Sequence, residues 1–340
     1  MNRILLLLLL GASTIAFSQI QTSSSYVCPP CGNDCDKIEH SKPGVCEHCN
    51  MVLIKKNQVK TIAFYLQDGV EVLDFAGPME VFAYAGYKVF TVSKTSEPIK
   101  SQGILTVVPD YAIDNAPNAD ILAFFGGNSR RAVHDKKVIR WIEEQEDIQL
   151  HFSVCTGAFL LAEAGILDGK VATTFHDALD GLANSYPKVD VRREVRFVDN
   201  GEVITTAGIS AGIDGALHLV AKLQGLNAAK RTAYYMEYDN WVPGNGLILS
   251  PDNPYTKEPI ELSPFLGHYE HFQQEEDFEV FMKNGELAAK SGQTTYPIYH
   301  ESRDIFSTVQ SDPIYFERDE DGKVRGYRVE PNGTLYRKTK

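Results

Sequence analysis

Cys155 ends the run Gln149-Leu-His-Phe-Ser-Val and opens Thr156-Gly-Ala-Phe-Leu-Leu-Ala-Glu, so an apolar strand passes straight into a helix with the cysteine at the joint. A side chain on such a turn is displayed at the carboxyl end of a sheet, where open α/β sheets take their ligands. The N–H groups of the first helical turn place partial positive charge beside the sulfur, which favours thiolate, the nucleophilic form. The chemistry on offer is attack on an electrophilic carbon. The alternative for an isolated cysteine is a buried structural thiol.

Two other segments could complete such a site. Ala123-Phe-Phe-Gly126-Gly127-Asn128 ends a second strand in a double glycine, where backbone N–H groups can face a substrate oxygen. A plain strand-to-helix turn is the alternative. Leu73-Asp74-Phe-Ala-Gly-Pro-Met-Glu80 follows the first strand and brings two carboxyls toward the same sheet edge for proton transfer. Asp74 could instead cap the helix through its side chain, and Glu80 could simply be solvated.

The other five cysteines crowd together. Tyr26-Val-Cys28-Pro-Pro-Cys31 and Gly44-Val-Cys46-Glu-His-Cys49 are two C-x-x-C knuckles. Paired knuckles supply four thiolates in tight turns, as tetrahedral zinc requires. Cys28, Cys31, Cys46 and Cys49 are the expected ligands of a zinc-ribbon-like module, with Cys35, His40 and His48 as substitutes. Two disulfides and a free thiol are the alternative in an oxidising compartment.

Positioning Cys155 requires a sheet. Strands are expected at 61–66, 88–93, 104–108, 120–125, 149–154 and 170–173, several of them continuous apolar runs suited to burial on both faces. Helices are expected at 129–147, 156–164 and 211–223. The alternation predicts a doubly wound, mostly parallel sheet with helices on both sides. A hairpin at 195–206 turns on Asn200-Gly201. Beyond it, 242–264 is rich in Pro, Gly and Asn and reads as a linker. Residues 265–340 carry short alternating strands around Asn284-Gly285, Asp319–Gly322 and Asn332-Gly333, which predicts a small antiparallel β domain.

At 340 residues the chain has room for several domains. A net charge of -12 argues against nucleic acid as a partner, since phosphate binding draws on clustered Lys and Arg. At the N-terminus, Arg3 precedes the apolar run Ile4–Leu10, and Ala16-Phe17-Ser18 offers small residues before Gln19. This reads as a signal peptide over 1–18 that leaves no stable membrane span, with an exported, periplasmic or extracellular protein beginning near Gln19. An uncleaved anchor is the alternative. The Cys-rich module then occupies 19–57 and the α/β domain 59–241.

Five segments of that domain carry a resemblance: Val72-Leu-Asp-Phe-Ala-Gly-Pro-Met-Glu-Val-Phe82, Phe124-Phe-Gly-Gly127, Ser153-Val-Cys-Thr-Gly-Ala158, Ala164-Gly-Ile-Leu-Asp-Gly-Lys-Val-Ala-Thr-Thr174 and Thr206-Ala-Gly-Ile-Ser-Ala-Gly-Ile-Asp-Gly215. In order and spacing they resemble the PfpI branch of the glutamine-amidotransferase-like superfamily, nearest to isonitrile hydratases and to the amidase-like sensor domain of AraC-type regulators. The resemblance implies a flavodoxin-like sandwich, homodimerisation, no cofactor for the α/β domain and a small-molecule ligand. It implies a reactive set of Asp74 as acid/base, Cys155 as nucleophile and Thr156 as a positioning residue that also serves the oxygen site. The related pattern reads Thr-Thr-His-Trp, whereas here it is Thr173-Thr174-Phe175-His176, so a Cys–His dyad is not expected and hydration is favoured over hydrolysis. The Cys-rich segment likewise resembles a short heavy-metal-binding module, which usually has histidine at the position of Cys31.

Three functions compete at this point. One is a cysteine-dependent lyase or hydrolase acting on an isonitrile, nitrile, amide or aldehyde. The second is a ligand-sensing domain without turnover. The third is a metal-binding or stress protein centred on residues 28–49.

Overall fold

The computed structural model describes residues 25–29, 33–145, 147–256, 260–270 and 278–339. The expected signal peptide and Cys31 lie outside these residues.

A small N-terminal sheet opens the described chain: β1 (Tyr26–Val27) pairs antiparallel with β2 (Glu39–His40) and β3 (Ile54–Lys55). The α/β domain follows with β4 (Thr61–Tyr65), α1 (Val72–Tyr84) and β5 (Lys88–Ser93). Next come β6 (Ile99–Ser101), β7 (Leu105–Val107), β8 (Tyr111–Ala112) and β9 (Ile121–Phe124). The short helix α2 (Arg130–Val133), then α3 (Lys136–Glu143), β10 (Leu150–Val154) and α4 (Ala158–Glu163) lead to the middle of the chain. Then follow β11 (Val171–Ala172), α5 (Leu179–Ser185), β12 (Asp190–Val191), β13 (Phe197–Asp199) and β14 (Val203–Thr206). Helices α6 (Ala211–Gln224) and α7 (Leu226–Tyr235) and the short β15 (Leu247–Ile248) complete it.

The main sheet has the order β15-β13-β14-β10-β9-β4-β5-β8, and only the β13–β14 pair in it is antiparallel. Alternation along β4 shows why it is buried on both faces. Ile62 and Phe64 enter a core with α1, α6 and α7, while Ala63 and Tyr65 enter one with α2 to α5. The expected doubly wound α/β sandwich is therefore present.

Several elements depart from expectation. Residues 105–107 pair with β6 as a separate hairpin, and Ile104 and Val108 are exposed, so this run is no central strand. β11 pairs with β12, outside the main sheet. The helix expected over 129–147 is broken at Asp135, whose carboxylate accepts the Lys137 N–H and starts α3 afresh. The stretch read as a linker is docked on the α/β domain. There β15 extends the sheet, and the Tyr255 hydroxyl lies 3.0 Å from His218 Nδ1.

The C-terminal part is a curled antiparallel sheet. Its strands are β16 (Gly267–Glu270), β17 (Phe278–Lys283), β18 (Glu286–Ser291), β19 (Thr294–Pro297), β20 (Tyr299–Ser302), β21 (Ile305–Ser307), β22 (Pro313–Arg318), β23 (Val324–Arg328) and β24 (Tyr336–Lys338). Among the described residues the order is β19-β18-β17-β16-β24-β23-β22-β21-β20. The two edges, β19 and β20, are consecutive in sequence, so the sheet nearly closes into a barrel. Phe265, Tyr269, Phe306 and Phe316 fill it. No helix among the described residues is long and apolar enough to cross a membrane.

Candidate functional site

Cys155 sits where β10 breaks into a single 3-10 turn before α4, with φ at +58°. A non-glycine residue in this left-handed region costs about 1–3 kcal/mol and persists only where its surroundings hold it. Here they do: the Cys155 N–H donates to the Ala207 carbonyl at 3.1 Å, and the Thr174 hydroxyl donates to the Cys155 carbonyl at 2.6 Å. Glycine is needed around the turn. A Cβ at Gly157 would lie 2.3 Å from the Phe124 carbonyl oxygen, and one at Gly126 would lie 2.7 Å from Cys155 Sγ.

Asp74, on the first turns of α1, is fully buried. One carboxylate oxygen accepts the Gly126 N–H at 2.9 Å and the other accepts the Ile209 N–H at 2.9 Å. It does not cap the helix, which has no side-chain cap bond; it joins the ends of β9 and β14 beside the thiol. Burial pushes its pKa up to about 6, against the lowering effect of those two N–H groups and of the Cys155 thiol. Burial also pushes the Cys155 thiol up, to about 12, with the negative charge of Asp74 adding to the effect. The N–H groups of Thr156 and Gly127 face the sulfur and act the other way. The thiolate expected from the helix N-terminus is therefore outweighed: at rest the group is a thiol, 6% exposed, next to a carboxyl that titrates near neutrality.

The structure sorts the expected oxygen site. The Gly126 N–H is occupied by Asp74, which leaves Gly127 and Thr156 to supply donors. Thr156 is anchored through its hydroxyl, which accepts from Ser129 at 3.0 Å and lies 3.4 Å from the Gly127 carbonyl. Glu80 is exposed on α1, on a different face of the helix from buried Asp74. His176 is exposed and pairs with Asp177 at 3.1 Å, while Phe175 turns inward against the core that holds Cys155. No histidine serves the thiol among the described residues.

Two contributors escaped the sequence reading. Ile209 has φ at +56°, a strained state for a β-branched residue, and it aims its N–H at Asp74. The preceding Gly208 was the available signal. Gln67 donates from its side-chain nitrogen to the Phe125 and Gly126 carbonyls, both at 2.9 Å, and fixes the peptide that faces Asp74. No periodicity marks it.

A second candidate site lies in the N-terminal module. The sulfurs of Cys28, Cys35, Cys46 and Cys49 all lie within 4.8 Å of one another. A tetrahedral zinc–thiolate set puts sulfurs about 3.8 Å apart, so this donor set fits such an ion. Cys35, expected as a substitute ligand, is one of the four, and Cys31 lies outside the described residues. No disulfide joins Cys28, Cys35, Cys46 and Cys49 to one another. Burial acts to raise the Cys46 thiol, but the Cys49 and His48 N–H groups hold it down at about 7. His40 keeps a buried Nε2 without a partner and is not among the four.

The DJ-1/PfpI family model matches residues 60–222. Isonitrile hydratase of Pseudomonas putida is 34% identical over 183 residues, 52% of this chain and 78% of that protein. The HTH-type transcriptional regulator CdhR of Pseudomonas aeruginosa is 29% identical over 169 residues, and the match spans about half of each protein. Among solved structures, a THiJ/PfpI family protein from Pseudomonas syringae aligns with a TM-score of 0.49 at 30% identity, covering 55% of this chain and 78% of that one.

Proposed function

Because the chain belongs to the DJ-1/PfpI family, we propose that its α/β domain is a cysteine-dependent lyase acting on a small electrophilic carbon, with isonitrile hydration as the reaction it fits best. The observation that carries this reading is the shared burial of the Cys155 thiol and the Asp74 carboxyl, with the Gly127 and Thr156 N–H groups at the sulfur. A carboxyl titrating near pH 6 can both take and return a proton at neutral pH.

In this mechanism the thiol proton passes to Asp74 as Sγ bonds to the terminal isonitrile carbon. Asp74 returns the proton to that carbon, giving a thioimidate. Water then adds to the same carbon with help from Asp74, and one of its protons goes to nitrogen. The carbon–sulfur bond breaks, its electron pair returns to sulfur, and the other water proton restores the thiol. The product is an N-substituted formamide; one water is added and nothing is oxidised or reduced. The exposed position of His176 disfavours hydrolysis by a Cys–His dyad.

The test is turnover. Wild type and Cys155→Ser are assayed on a panel of isonitriles, nitriles and amides. Formamide production by wild type and its loss in the variant are expected; no turnover of any of the panel would end the lyase reading. A sensory domain that binds the same compounds without converting them is the second reading, and it draws on the similarity to regulators such as CdhR. Binding without product in the same assay would select it. We further propose export after cleavage near Gln19, homodimerisation, and occupation of the four-thiolate cluster by zinc or another heavy metal. Cys28, Cys35, Cys46 and Cys49 would hold that ion, which would supply a structural cross-link for the module.

A further inference from the structure

A cleft of about 950 Å³ opens where the three parts of the chain meet. Tyr234 and Tyr235 come from the end of α7, Tyr296 and Tyr315 from the C-terminal sheet, and Lys42 and Pro43 from the N-terminal module. The family match ends at residue 222, so this cleft belongs to parts of the chain outside it. Tyr234 and Tyr235 stand edge-to-face at 5.7 Å. Asp312 lies among these rings, in the loop before β22. Its carboxyl is raised above its ordinary value by burial, with no cation among the described residues contributing. Its backbone N–H is anchored on the Thr308 hydroxyl at 3.2 Å.

Each feature selects for the same ligand. Aromatic faces carry the negative end of the ring quadrupole and attract cations. A half-buried carboxylate without a counter-charge is costly, and a bound cation would relieve that cost. The other charges of the cleft, Lys42 and Glu330, pair with each other at 3.1 Å and are well exposed, so they cancel at its rim. A metal ion would need several oxygen ligands, and Asp312 offers a single carboxylate. The volume suits an organic molecule. A quaternary ammonium group asks for no hydrogen-bond acceptors and is readily desolvated, which matches walls of tyrosine rings.

We propose that this cleft, formed by Tyr234, Tyr235, Tyr296, Tyr315 and Asp312, binds a small organic cation of the quaternary-ammonium type. The site is independent of Cys155.

Calorimetric titration of the full chain with choline tests it, with 3,3-dimethylbutan-1-ol as the uncharged mimic of the same shape. Choline is expected to bind more tightly than about 1 mM, and the neutral mimic at least about tenfold more weakly. Asp312→Asn is expected to weaken choline about tenfold, and Tyr234→Ala, at a partly exposed position, to weaken it as well. Cys155→Ser is expected to bind as wild type does. Absence of choline binding to wild type, equal affinity for the two compounds, or choline affinity unchanged in both cleft variants would overturn the proposal. So would loss of binding in Cys155→Ser, which would place the cation in the other pocket.

Discussion

Asp74 accepts the backbone N–H of Ile209 at 2.9 Å across 135 residues of chain. That bond, with its twin from Gly126, holds a carboxyl against the Cys155 thiol in a buried pocket. Removing its charge should lower the thiol pKa, because the Asp74 charge helps hold it up at about 12. For Asp74→Asn we expect iodoacetamide alkylation of Cys155 at pH 8 to speed up about tenfold, one unit of pKa. Isonitrile turnover should fall at least about a hundredfold. Alkylation that is unchanged or slower would remove Asp74 from the thiol's electrostatics.

Stability should carry the same signature against pH. Asp74 is raised by burial from 3.8 to about 6, so its contribution is unfavourable above pH 6 and is relieved as pH falls toward 4. His151 is lowered by burial, and secondarily by Lys170, from 6.5 to about 4; its contribution is lost as pH falls through the same window. Each is worth about 3 kcal/mol, with opposite sign. Relative to wild type, Asp74→Asn should therefore lose more of its urea midpoint between pH 7.5 and pH 4.5. Comparing the two proteins cancels the groups they share. Parallel midpoint curves would contradict a raised Asp74.

Gly126→Ala should disable the site through sterics alone. The added methyl would meet Sγ, the Cys155 Cβ and the Thr156 nitrogen, each at 2.7 Å, and β9 cannot back away without losing its place in the sheet. A loss of about 1–3 kcal/mol in denaturant unfolding is expected, together with loss of turnover. A variant with wild-type activity would mean the turn yields more than a packed core allows.

The thiolate cluster makes a sharper prediction than the knuckle spacing did. The full chain should bind one zinc ion per molecule, and Cys35→Ser or Cys46→Ser should weaken binding strongly. Cys31→Ser should leave it intact, because the four sulfurs within 4.8 Å are complete without Cys31. Competition with a chromophoric chelator reads all three. Loss of zinc in Cys31→Ser with retention in Cys35→Ser would restore the ligand set that the spacing suggests.

The comparison of those two cysteines shows what a sequence conveys. Spacing reveals that thiols can converge, but the 3-10 turn of Asp34–Lys37 that buries Cys35 is a tertiary outcome with no period to read. The central strands were legible because β4 and β9 are apolar on both faces, a pattern that only a covered sheet explains. The run at 104–108 is just as apolar, yet it forms a peripheral hairpin, because composition does not say which strands meet. At the site, residue types pointed to Cys155 and Asp74, and the family resemblance added Thr156. They could not show that the Gly126 N–H would be spent on Asp74, or that burial would outweigh the helix N-terminus at the sulfur.

The C-terminal sheet begins and ends on strands that adjoin in sequence, with Ile298 between them. An open sheet of this length would leave two rows of unpaired peptide groups, each a template for a strand from another molecule. Here β19 and β20, the two edges, are each four residues long and meet only at Ile298. Edges that short are a poor template for strand addition, which disfavours polymerisation.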